Sequence, residues 1–220
     1  MINVLINGLS GKMGSSISNV SKNHNNVSIV ENNDVSNADV VIDFSRPEST
    51  LTLLHKCIDL KKPLVIGTTG FDSKEIQIIK DASQQIPILL SYNMSKGIFI
   101  LKKSINDFLS QNDSNLSCLI EETHHKEKVD SPSGTAIELK ELIENHDFNN
   151  KISSISINSS RVEGIFGVHK IIFSNDTEST EFKHEALSRN TFANGAIDIA
   201  KLIIEKDEGL YSLEDFFNTK

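Results

Sequence analysis

Short apolar runs alternate with amphipathic segments along the first 95 residues. The runs rich in Val, Ile and Leu predict β-strands, and they are Ile2–Ile6, Val27–Glu31, Ala38–Phe44, PLVIGTTG at 63–70 and Ile86–Ser91. Segments with helical spacing lie between them. The first is expected from Lys12 to about Ser21, and a later one at 73–85 places Ile76, Ile79 and Ala82 on one face. Strands that alternate with helices form βαβ units, so this region predicts a parallel sheet.

The pattern changes after Ser95. A helix is predicted at 97–109, a strand at 116–125 and a helix at 135–145. Strand-like runs then follow with short connections at 152–162, 167–175 and 180–187, which favours an antiparallel or mixed sheet. A closing helix at 191–206 places Ile197, Ala200 and Ile204 on one face. The sequence therefore predicts an α/β chain of two domains, residues 1–95 with 190–220 and residues 96–189, in which the last helix returns to the first domain.

A glycine-rich turn follows the first predicted strand. Gly8, Gly11 and Gly14 are spaced G-x-x-G-x-x-G, with Ser10 where dinucleotide-binding turns usually have their second glycine. Glycine lets the backbone turn tightly and lets a phosphate approach the N–H groups of a helix start. Glu31 ends the second predicted strand, where such folds place a carboxylate against the ribose hydroxyls. An ordinary tight turn has the same spacing, but the position inside a βαβ unit favours a dinucleotide site.

Two more turns end predicted strands of the same sheet. They are GTTG at Gly67–Gly70 and SYNMS at Ser91–Ser95. Ligands of open parallel sheets bind at the carboxyl ends of the strands. The side chains of these turns therefore either line a nicotinamide pocket or only stabilise the turns in which they lie.

Charge and cysteine content narrow the class of protein. The net charge of −8 argues against nucleic acid as a partner. No apolar run approaches 18 residues and the N-terminus lacks a basic region, so we expect neither a membrane span nor a secretion signal. Cys57 and Cys118 form no C-x-x-C pair and lie in apolar surroundings, so we expect both to be buried and reduced, which fits a cytoplasmic protein.

Charged residues are crowded between Glu121 and Ala136, in the stretch EETHHKEKVDSPSGTA. A solvated loop is one interpretation. A metal site is another, but His124 and His125 are neighbours on a predicted strand and point to opposite faces, so we expect no metal.

An anion site is the third interpretation of this stretch. Ser131 or Ser133 would cap the following helix with Pro132 near its first position, and the N–H groups at Gly134 and Thr135 would face a carboxylate. His124, His125 and Lys128 lie just before this helix start, where a histidine could donate a proton and a lysine could hold negative charge.

The same stretch resembles the signature E-x-H-H-x-x-K-x-D-x-P-S-G-T-A of the 4-hydroxy-tetrahydrodipicolinate reductase family. The blocks VVIDFSRPEST, PLVIGTTGF, RVEGIFGVH and HEALSRNTFANGA resemble other blocks of this family in the same order, so that the likeness covers nearly the whole chain. It implies a Rossmann-like domain (1–95 and 190–220) that binds NADH or NADPH. It also implies a domain with a mixed sheet (96–189) that binds a cyclic dicarboxylate and assembles the chains, usually as a homotetramer.

The resemblance also assigns roles to individual residues. It implies that His124 is the general acid and Lys128 the second catalytic group, and that the substrate contacts are His125, Ser133, Gly134 and Thr135. The cofactor contacts that it implies, together with Glu31, are Gly8, Leu9, Ser10, Gly11, Lys12, Met13, Gly67, Thr68, Thr69, Ser91, Tyr92, Asn93 and Met94.

This chain departs from the family pattern in four places. The segment between Glu31 and Ala38 and the segment before Arg161 are shorter than usual. Ser91–Met94 reads Ser-Tyr-Asn-Met where Ala-Pro-Asn-Phe is common, and Phe99 stands where Asn is usual.

Glu31 bears on the choice of cofactor. It would repel a 2′-phosphate, and no Arg precedes Arg46, so we expect NADH to serve at least as well as NADPH, although Lys12 lies near the phosphate turn.

Two other functions fit a dinucleotide fold. The first is a dinucleotide-sensing protein without catalysis, which would not need a proton donor beside an anion site. The second is another Rossmann oxidoreductase, such as an aspartate dehydrogenase or a semialdehyde dehydrogenase. The latter needs a nucleophilic cysteine, and neither Cys57 nor Cys118 lies in a turn at the end of a predicted strand.

Overall fold

A computed structural model describes residues 1–31, 34–147 and 150–217. The chain divides into two compact units, Met1–Ser95 with Arg189–Lys220 and Lys96–Ser188. The elements in chain order are β1 (Ile2–Asn7), α1 (Lys12–Ser21), β2 (Val27–Ile29), β3 (Val40–Asp43), α2 (Pro47–Asp59), β4 (Leu64–Ile66), α3 (Ser73–Ala82), β5 (Pro87–Leu90), α4 (Lys96–Gln111), β6 (Leu116–His124), α5 (Gly134–His146), β7 (Ile152–Arg161), β8 (Gly167–Ser174), β9 (Ser179–Ala186), α6 (Asn190–Ile203), β10 (Gly209–Tyr211) and α7 (Glu214–Phe217). The assignment of cofactor binding to the first unit and of substrate binding and assembly to the second remains a prediction.

The first unit is built on a six-stranded parallel sheet in the order β10-β5-β4-β3-β1-β2. Successive side chains of a strand point to opposite faces of the sheet, and here both faces are apolar. Val4 and Ile6 pack with residues of α1 and α6, whereas Leu5 and Val41 pack with residues of α2 and α3. This Rossmann-like arrangement confirms the predicted parallel sheet.

The second unit has a mixed four-stranded sheet in the order β7-β6-β8-β9. β6 runs parallel to β7 and antiparallel to β8, and β9 pairs antiparallel with β8. Alternate residues of β6 and β8, such as Ile120 and Phe173, form one core with α4 and α5. The predicted mixed sheet is confirmed.

The structure differs from the sequence patterns mainly at the ends of elements. The last long helix ends at Ile203 rather than 206, with Ile204 still packed against the core of the first unit. β10 has only three residues and was not predicted, because a strand this short has no periodic pattern. Cys57 and Cys118 are both free and buried, as expected. In the described residues, no helix is long and apolar enough to cross a membrane.

Candidate functional site

The carboxyl ends of the first unit's strands bring the predicted cofactor residues to one edge of its sheet. Because these strands are parallel, the turns after β1, β2, β4 and β5 leave from the same edge. The predicted cofactor residues lie just after the ends of these strands: Gly8 after β1, Glu31 after β2, Gly67 after β4 and Ser91 after β5. This edge is where an open α/β sheet binds its ligand.

The turn between β1 and α1 requires glycine at two positions. Gly8 has a φ of +86°, and a Cβ there would lie 2.2 Å from the carbonyl oxygen of Phe44. A Cβ at Gly14 would lie 2.2 Å from the carbonyl oxygen of Gly8. The turn is therefore packed against its own backbone at Gly14 and against the segment after β3 at Gly8, and both close approaches require glycine.

The start of α1 suits an anion. Its N-cap residue, Gly11, makes no side-chain capping bond, and the first turn contains no acidic residue. The positive end of the helix dipole is thus left uncompensated by acidic side chains. Leu9, Ser10 and Lys12 are exposed here, whereas Met13 is partly buried against the core.

Asp43, which the sequence analysis did not single out, organises this edge from inside. Its side chain is fully buried at the end of β3. Its Oδ1 accepts hydrogen bonds from Asn7 Nδ2 (2.7 Å) and Ser45 Oγ (2.6 Å). Its Oδ2 accepts from Thr68 Oγ1 (2.9 Å) and from Thr50 Oγ1. One carboxylate thereby joins the ends of β1 and β3, the start of α2 and the turn after β4.

The turn after β4 is part of that network. Thr68 is buried, and its hydroxyl also accepts a hydrogen bond from Ser45 N at 2.8 Å. A Cβ at Gly67 would collide with the Phe44 ring at 2.2 Å, whereas Thr69 is exposed. The hydroxyl of Thr68 thus holds the turn, and the exposed Thr69 is better placed to meet a ligand.

The turn after β5 has a similar internal frame. Ser91 and Asn93 are buried and bonded to each other, with Ser91 Oγ donating to the Asn93 carbonyl at 2.9 Å. Met94 packs its side chain in the core, and Tyr92 is exposed.

Glu31 is exposed two residues after β2. The shortened segment that follows it includes residues 32 and 33, which lie outside the described part of the chain.

The second unit places a buried polar cluster at one end of its sheet. Glu122 and His124 lie two residues apart in β6 and share a face, and His169 of β8 pairs directly with Glu122. All three are almost fully buried. The same face carries the apolar core farther along these strands, so the cluster continues the core with polar residues.

Glu122 is the centre of this cluster. Its Oε2 lies 2.7 Å from His124 Nδ1, and its Oε1 accepts hydrogen bonds from Arg161 Nη1 (3.2 Å) and from the N–H of Ser133 (3.1 Å). Burial opposes ionisation, but the hydrogen bonds from His124, Ser133 and Ser159 outweigh it and hold the pKa of Glu122 below its ordinary range. The carboxylate therefore remains charged inside the protein.

His169 is held neutral beside this pair. Its ring meets that of His124 edge to face, with centroids 5.0 Å apart, and its Nε2 lies 3.4 Å from Ser133 Oγ. Burial, reinforced by the positive charge of His124, lowers the pKa of His169 to about 3. Of the two rings, His124 at the end of β6 is the one in contact with a carboxylate.

The start of α5 differs in part from the prediction. Ser133 is the N-cap, and its Oγ accepts a hydrogen bond from Ala136 N at 3.2 Å, so Ser131 is not the cap. Pro132, which was predicted near the first helical position, lies one residue before the cap and follows a cis peptide bond. Gly134 and Thr135 open the helix as expected.

Lys128 has an internal partner that the sequence analysis did not anticipate. Its Nζ lies 2.8 Å from Asp130 Oδ1, and the N–H of Gly134 also donates to the Asp130 side chain. Burial opposes ionisation of Asp130, but its contacts with Lys128 lower the pKa of this carboxyl. The Lys128 N–H donates to the carbonyl of His125 at 3.1 Å, which closes the chain reversal after β6. Asp130 thus occupies two of the groups expected to hold a substrate carboxylate.

Glu122, His124 and His169 are also the one possible metal-binding group found in the described residues, with a ligand atom from each lying within 4.8 Å of the others. The guanidinium of Arg161 contacts the same carboxylate, and its positive charge opposes a metal cation there. The geometry therefore favours an imidazole and carboxylate pair.

Five residues of the two units had no role predicted from the sequence, namely Asp43, Glu122, Asp130, Arg161 and His169. Every one of these residues lies inside a block that resembles the family, namely VVIDFSRPEST, EETHHKEKVDSPSGTA or RVEGIFGVH. The resemblance of these blocks to the family was therefore the sequence signal that could have pointed to these residues. The described geometry brings the last four together with His124, Lys128 and Ser133 in the second unit, while the predicted cofactor residues and Asp43 lie in the first.

Comparison with known proteins identifies, along the whole chain, the same family that the sequence blocks resemble. The family model described as "Dihydrodipicolinate reductase, N-terminus" matches residues 31–94, and "Dihydrodipicolinate reductase, C-terminus" matches residues 97–217. The 4-hydroxy-tetrahydrodipicolinate reductase of Clostridium tetani is 34% identical over 251 residues, which cover 100% of this chain and 98% of the relative. The enzyme of that name from Rickettsia bellii is 38% identical, covering 99% and 95%.

A solved structure agrees at the level of the fold. It is a dipicolinate-bound dihydrodipicolinate reductase from Paenisporosarcina sp. TG-14, with a TM-score of 0.74 at 21% identity, covering 96% of this chain and 97% of the other. Identity this low supports the fold alone, whereas the family models and the relatives above 30% identity establish descent. The chain belongs to the dihydrodipicolinate reductase family.

Proposed function

We propose that this protein is a 4-hydroxy-tetrahydrodipicolinate reductase, which uses NADH or NADPH to form tetrahydrodipicolinate in diaminopimelate and lysine biosynthesis. The observation that carries the proposal is the buried contact between Glu122 and His124 at the end of β6. It presents an imidazole with a charged partner inside the stretch that resembles the family signature.

The cofactor, when bound, supplies a hydride. Addition of a hydride to a conjugated C=C–C=N system leaves negative charge on the substrate, and a proton must follow. His124 is suited to donate that proton, because imidazole changes charge near neutral pH and its Nδ1 is already held by a carboxylate. Lys128 steadies the developing negative charge.

The start of α5 is the proposed site for a substrate carboxylate. The N–H groups of the first helical turn, at Gly134 and Thr135, lie at the positive end of the helix dipole, and Ser133 fixes this start through its cap. A carboxylate that reaches Lys128 and Gly134 must take the place of the Asp130 side chain. His125, at the beginning of the same reversal, is the remaining proposed substrate contact.

The first unit is the proposed dinucleotide site. The turn from Gly8 to Met13 and the start of α1 suit the pyrophosphate, and the turns at Gly67–Thr69 and Ser91–Met94 suit the nicotinamide. Glu31 is exposed and acidic after β2, so it favours ribose hydroxyls over a 2′-phosphate. We therefore propose that NADH serves at least as well as NADPH.

A thiol-dependent dehydrogenase is disfavoured by the state of the cysteines. Burial raises the pKa of both Cys57 and Cys118 to about 12, so neither forms the thiolate that a semialdehyde dehydrogenase requires. Free buried thiols are also compatible with a reducing compartment, and we propose that the enzyme is cytoplasmic.

We also propose assembly as a homotetramer through the second unit. The face of its sheet opposite the helices carries Leu119, Val168 and Ile172, which are only partly buried in a single chain. Light scattering at micromolar concentration should give a mass near four times 24.4 kDa. A mass of one chain would contradict assembly and leave the proposed reaction intact.

The reaction itself is tested by following reduced nicotinamide absorbance. The purified protein is mixed with NADH or NADPH and with enzymatically generated 4-hydroxy-tetrahydrodipicolinate. We expect oxidation that depends on both the protein and the substrate. Cofactor binding without substrate-dependent oxidation would instead indicate a dinucleotide-sensing protein.

A further inference from the structure

We infer that Glu122 is a positioning residue that fixes the ring of His124 so that Nδ1 keeps its hydrogen and Nε2 delivers the proton. The inference rests on the proposed function for its catalytic consequence. Its geometric basis, however, is tested independently of any turnover.

The position of Glu122 relative to His124 follows from the strand. Residues two apart in β6 project from the same face, which brings Glu122 Oε2 to 2.7 Å from His124 Nδ1. An ionised carboxylate can only accept hydrogen bonds, so the atom facing it must be Nδ1–H. Nε2 is then the nitrogen that can gain and lose a proton.

The second carboxylate oxygen of Glu122 is held by groups other than His124. Arg161 Nη1 and Nη2 donate to Oε1 at 3.2 and 3.3 Å, and the Ser133 N–H donates to the same oxygen at 3.1 Å. Oε1 is therefore engaged by the scaffold, and Oε2 faces His124. This division leaves one oxygen of the carboxylate for the imidazole.

Arg161 is itself tied to the segment that carries Lys128. Its Nε donates to the Lys128 carbonyl at 3.3 Å, Nη2 donates to the Asp130 carbonyl, and Nη1 donates to the Ser160 carbonyl at 2.8 Å. Its side chain is partly buried, with 20% exposed. The guanidinium thus links Glu122 to the chain reversal after β6, which gives the carboxylate a fixed place.

The side chain of Glu122 has no exposed surface, so we assign it no contact with substrate. When His124 acts, the Nε2–H bond breaks as a C–H bond forms on the substrate, and the N–H electron pair stays on Nε2. The ring becomes neutral, and Nδ1–H remains against Oε2. The carboxylate thereby stabilises the imidazolium form before transfer and selects one tautomer after it.

A purely structural role is the alternative, in which Glu122 serves only to neutralise Arg161 and to bond Ser133. The two roles separate in the variant Glu122→Gln. The amide keeps the size and one acceptor oxygen, but it removes the charge and offers an N–H group to His124. The imidazolium form is then disfavoured, so the acid is depleted most at high pH.

For Glu122→Gln we expect kcat to fall about 10- to 100-fold at pH 8 and less at pH 6, so that the falling limb of the kcat profile moves to lower pH. KM for the substrate and affinity for NADH should change little. Glu122→Asp should restore part of the activity at pH 8. The matched control is Glu121→Gln, because Glu121 neighbours Glu122 but pairs with Lys170 at 3.1 Å on the other face. A folded Glu122→Gln enzyme with an unshifted pH profile would overturn the inference.

A measurement on the unaltered protein covers the case in which the variants do not fold. Long-range ¹H–¹⁵N spectra at a pH where His124 is neutral report which ring nitrogen carries hydrogen, and loss of a signal in His124→Asn assigns it. We expect the Nδ1–H tautomer. Finding the Nε2–H tautomer would overturn the inference, whereas an inactive wild-type enzyme with the Nδ1–H tautomer would contradict the proposed function alone.

Discussion

Gly195 lies where α6 touches the backbone of the turn after β5. A Cβ at this position would lie 1.7 Å from the carbonyl oxygen of Met94 and 2.9 Å from its carbonyl carbon. Contacts below 3.0 Å are essentially absent for real Cβ atoms, so Gly195→Ala requires a separation of at least about 1.3 Å between helix and turn. Neither partner can rotate aside, because the contact joins a Cβ to a backbone carbonyl.

Two effects of Gly195→Ala oppose each other. Alanine is the better helix former by about 1 kcal/mol, whereas overpacking in a filled core costs about 1–3 kcal/mol and sometimes more. Met94 is only 1% exposed and packs with Ala193 and Ala196 of the same helix, which leaves little room for adjustment. We therefore expect the overpacking cost to lie at the upper end, about 3 kcal/mol, which leaves a net loss of about 2 kcal/mol in the free energy of unfolding.

Urea denaturation followed by far-ultraviolet circular dichroism measures this loss. Thr52→Ala is the matched control, because Thr52 is exposed in α2 of the same unit and gains helix propensity without a new contact. NADH titration should also show weaker binding for Gly195→Ala, since Met94 ends the proposed nicotinamide turn. If Gly195→Ala is as stable as the wild type, or is stabilised as the control is, then α6 does not rest on the Met94 carbonyl.

Three further predictions concern charge. Burial and the charge of His124 hold the pKa of His169 at about 3 in the folded protein, against an ordinary value of 6.5. Between these two pH values only the unfolded chain binds the proton, so the free energy of unfolding should fall by about 2 kcal/mol from pH 7 to pH 5. The fall should be smaller in His169→Gln. An equal fall in that variant would remove His169 as the cause. Glu31→Ala should raise kcat/KM with NADPH relative to NADH, and an unchanged ratio would exclude Glu31 from cofactor selection. Asp130→Asn should lower KM for the substrate by up to about fivefold, which corresponds to one partly exposed ion pair. A higher KM would show that Asp130 helps binding instead of competing.

Local sequence patterns predicted the parts of the fold that depend on neighbouring residues. The spacing of apolar residues identified the strands of the parallel sheet and the change of pattern after Ser95. Strand alternation also implies that Glu122 and His124 share a face. The approach of His169 depends on the register between β6 and β8, in which Glu122 pairs with His169 across the sheet, and no local pattern encodes this register.

Asp43 was missed for a related reason. It lies inside the run VVIDF, where four apolar neighbours predict a buried strand and hide the single acid. Its partners Asn7, Thr50 and Thr68 come from separate segments and meet only in the folded sheet. The cap of α5 stayed open between two residues because a serine stands on either side of Pro132, and the structure selects Ser133.

The kinetics of His124→Ala test the central claim most directly, because this claim assigns the proton transfer to one ring. The variant is compared with the wild type in the reduced nicotinamide assay, and NADH affinity is measured separately. His55→Ala serves as the control, since His55 is exposed on α2 in the first unit. We predict that kcat falls about 10²–10⁴-fold in His124→Ala while NADH affinity is retained and the control remains active. A folded His124→Ala enzyme with near-normal kcat would contradict the account, because the proton would then come from another group.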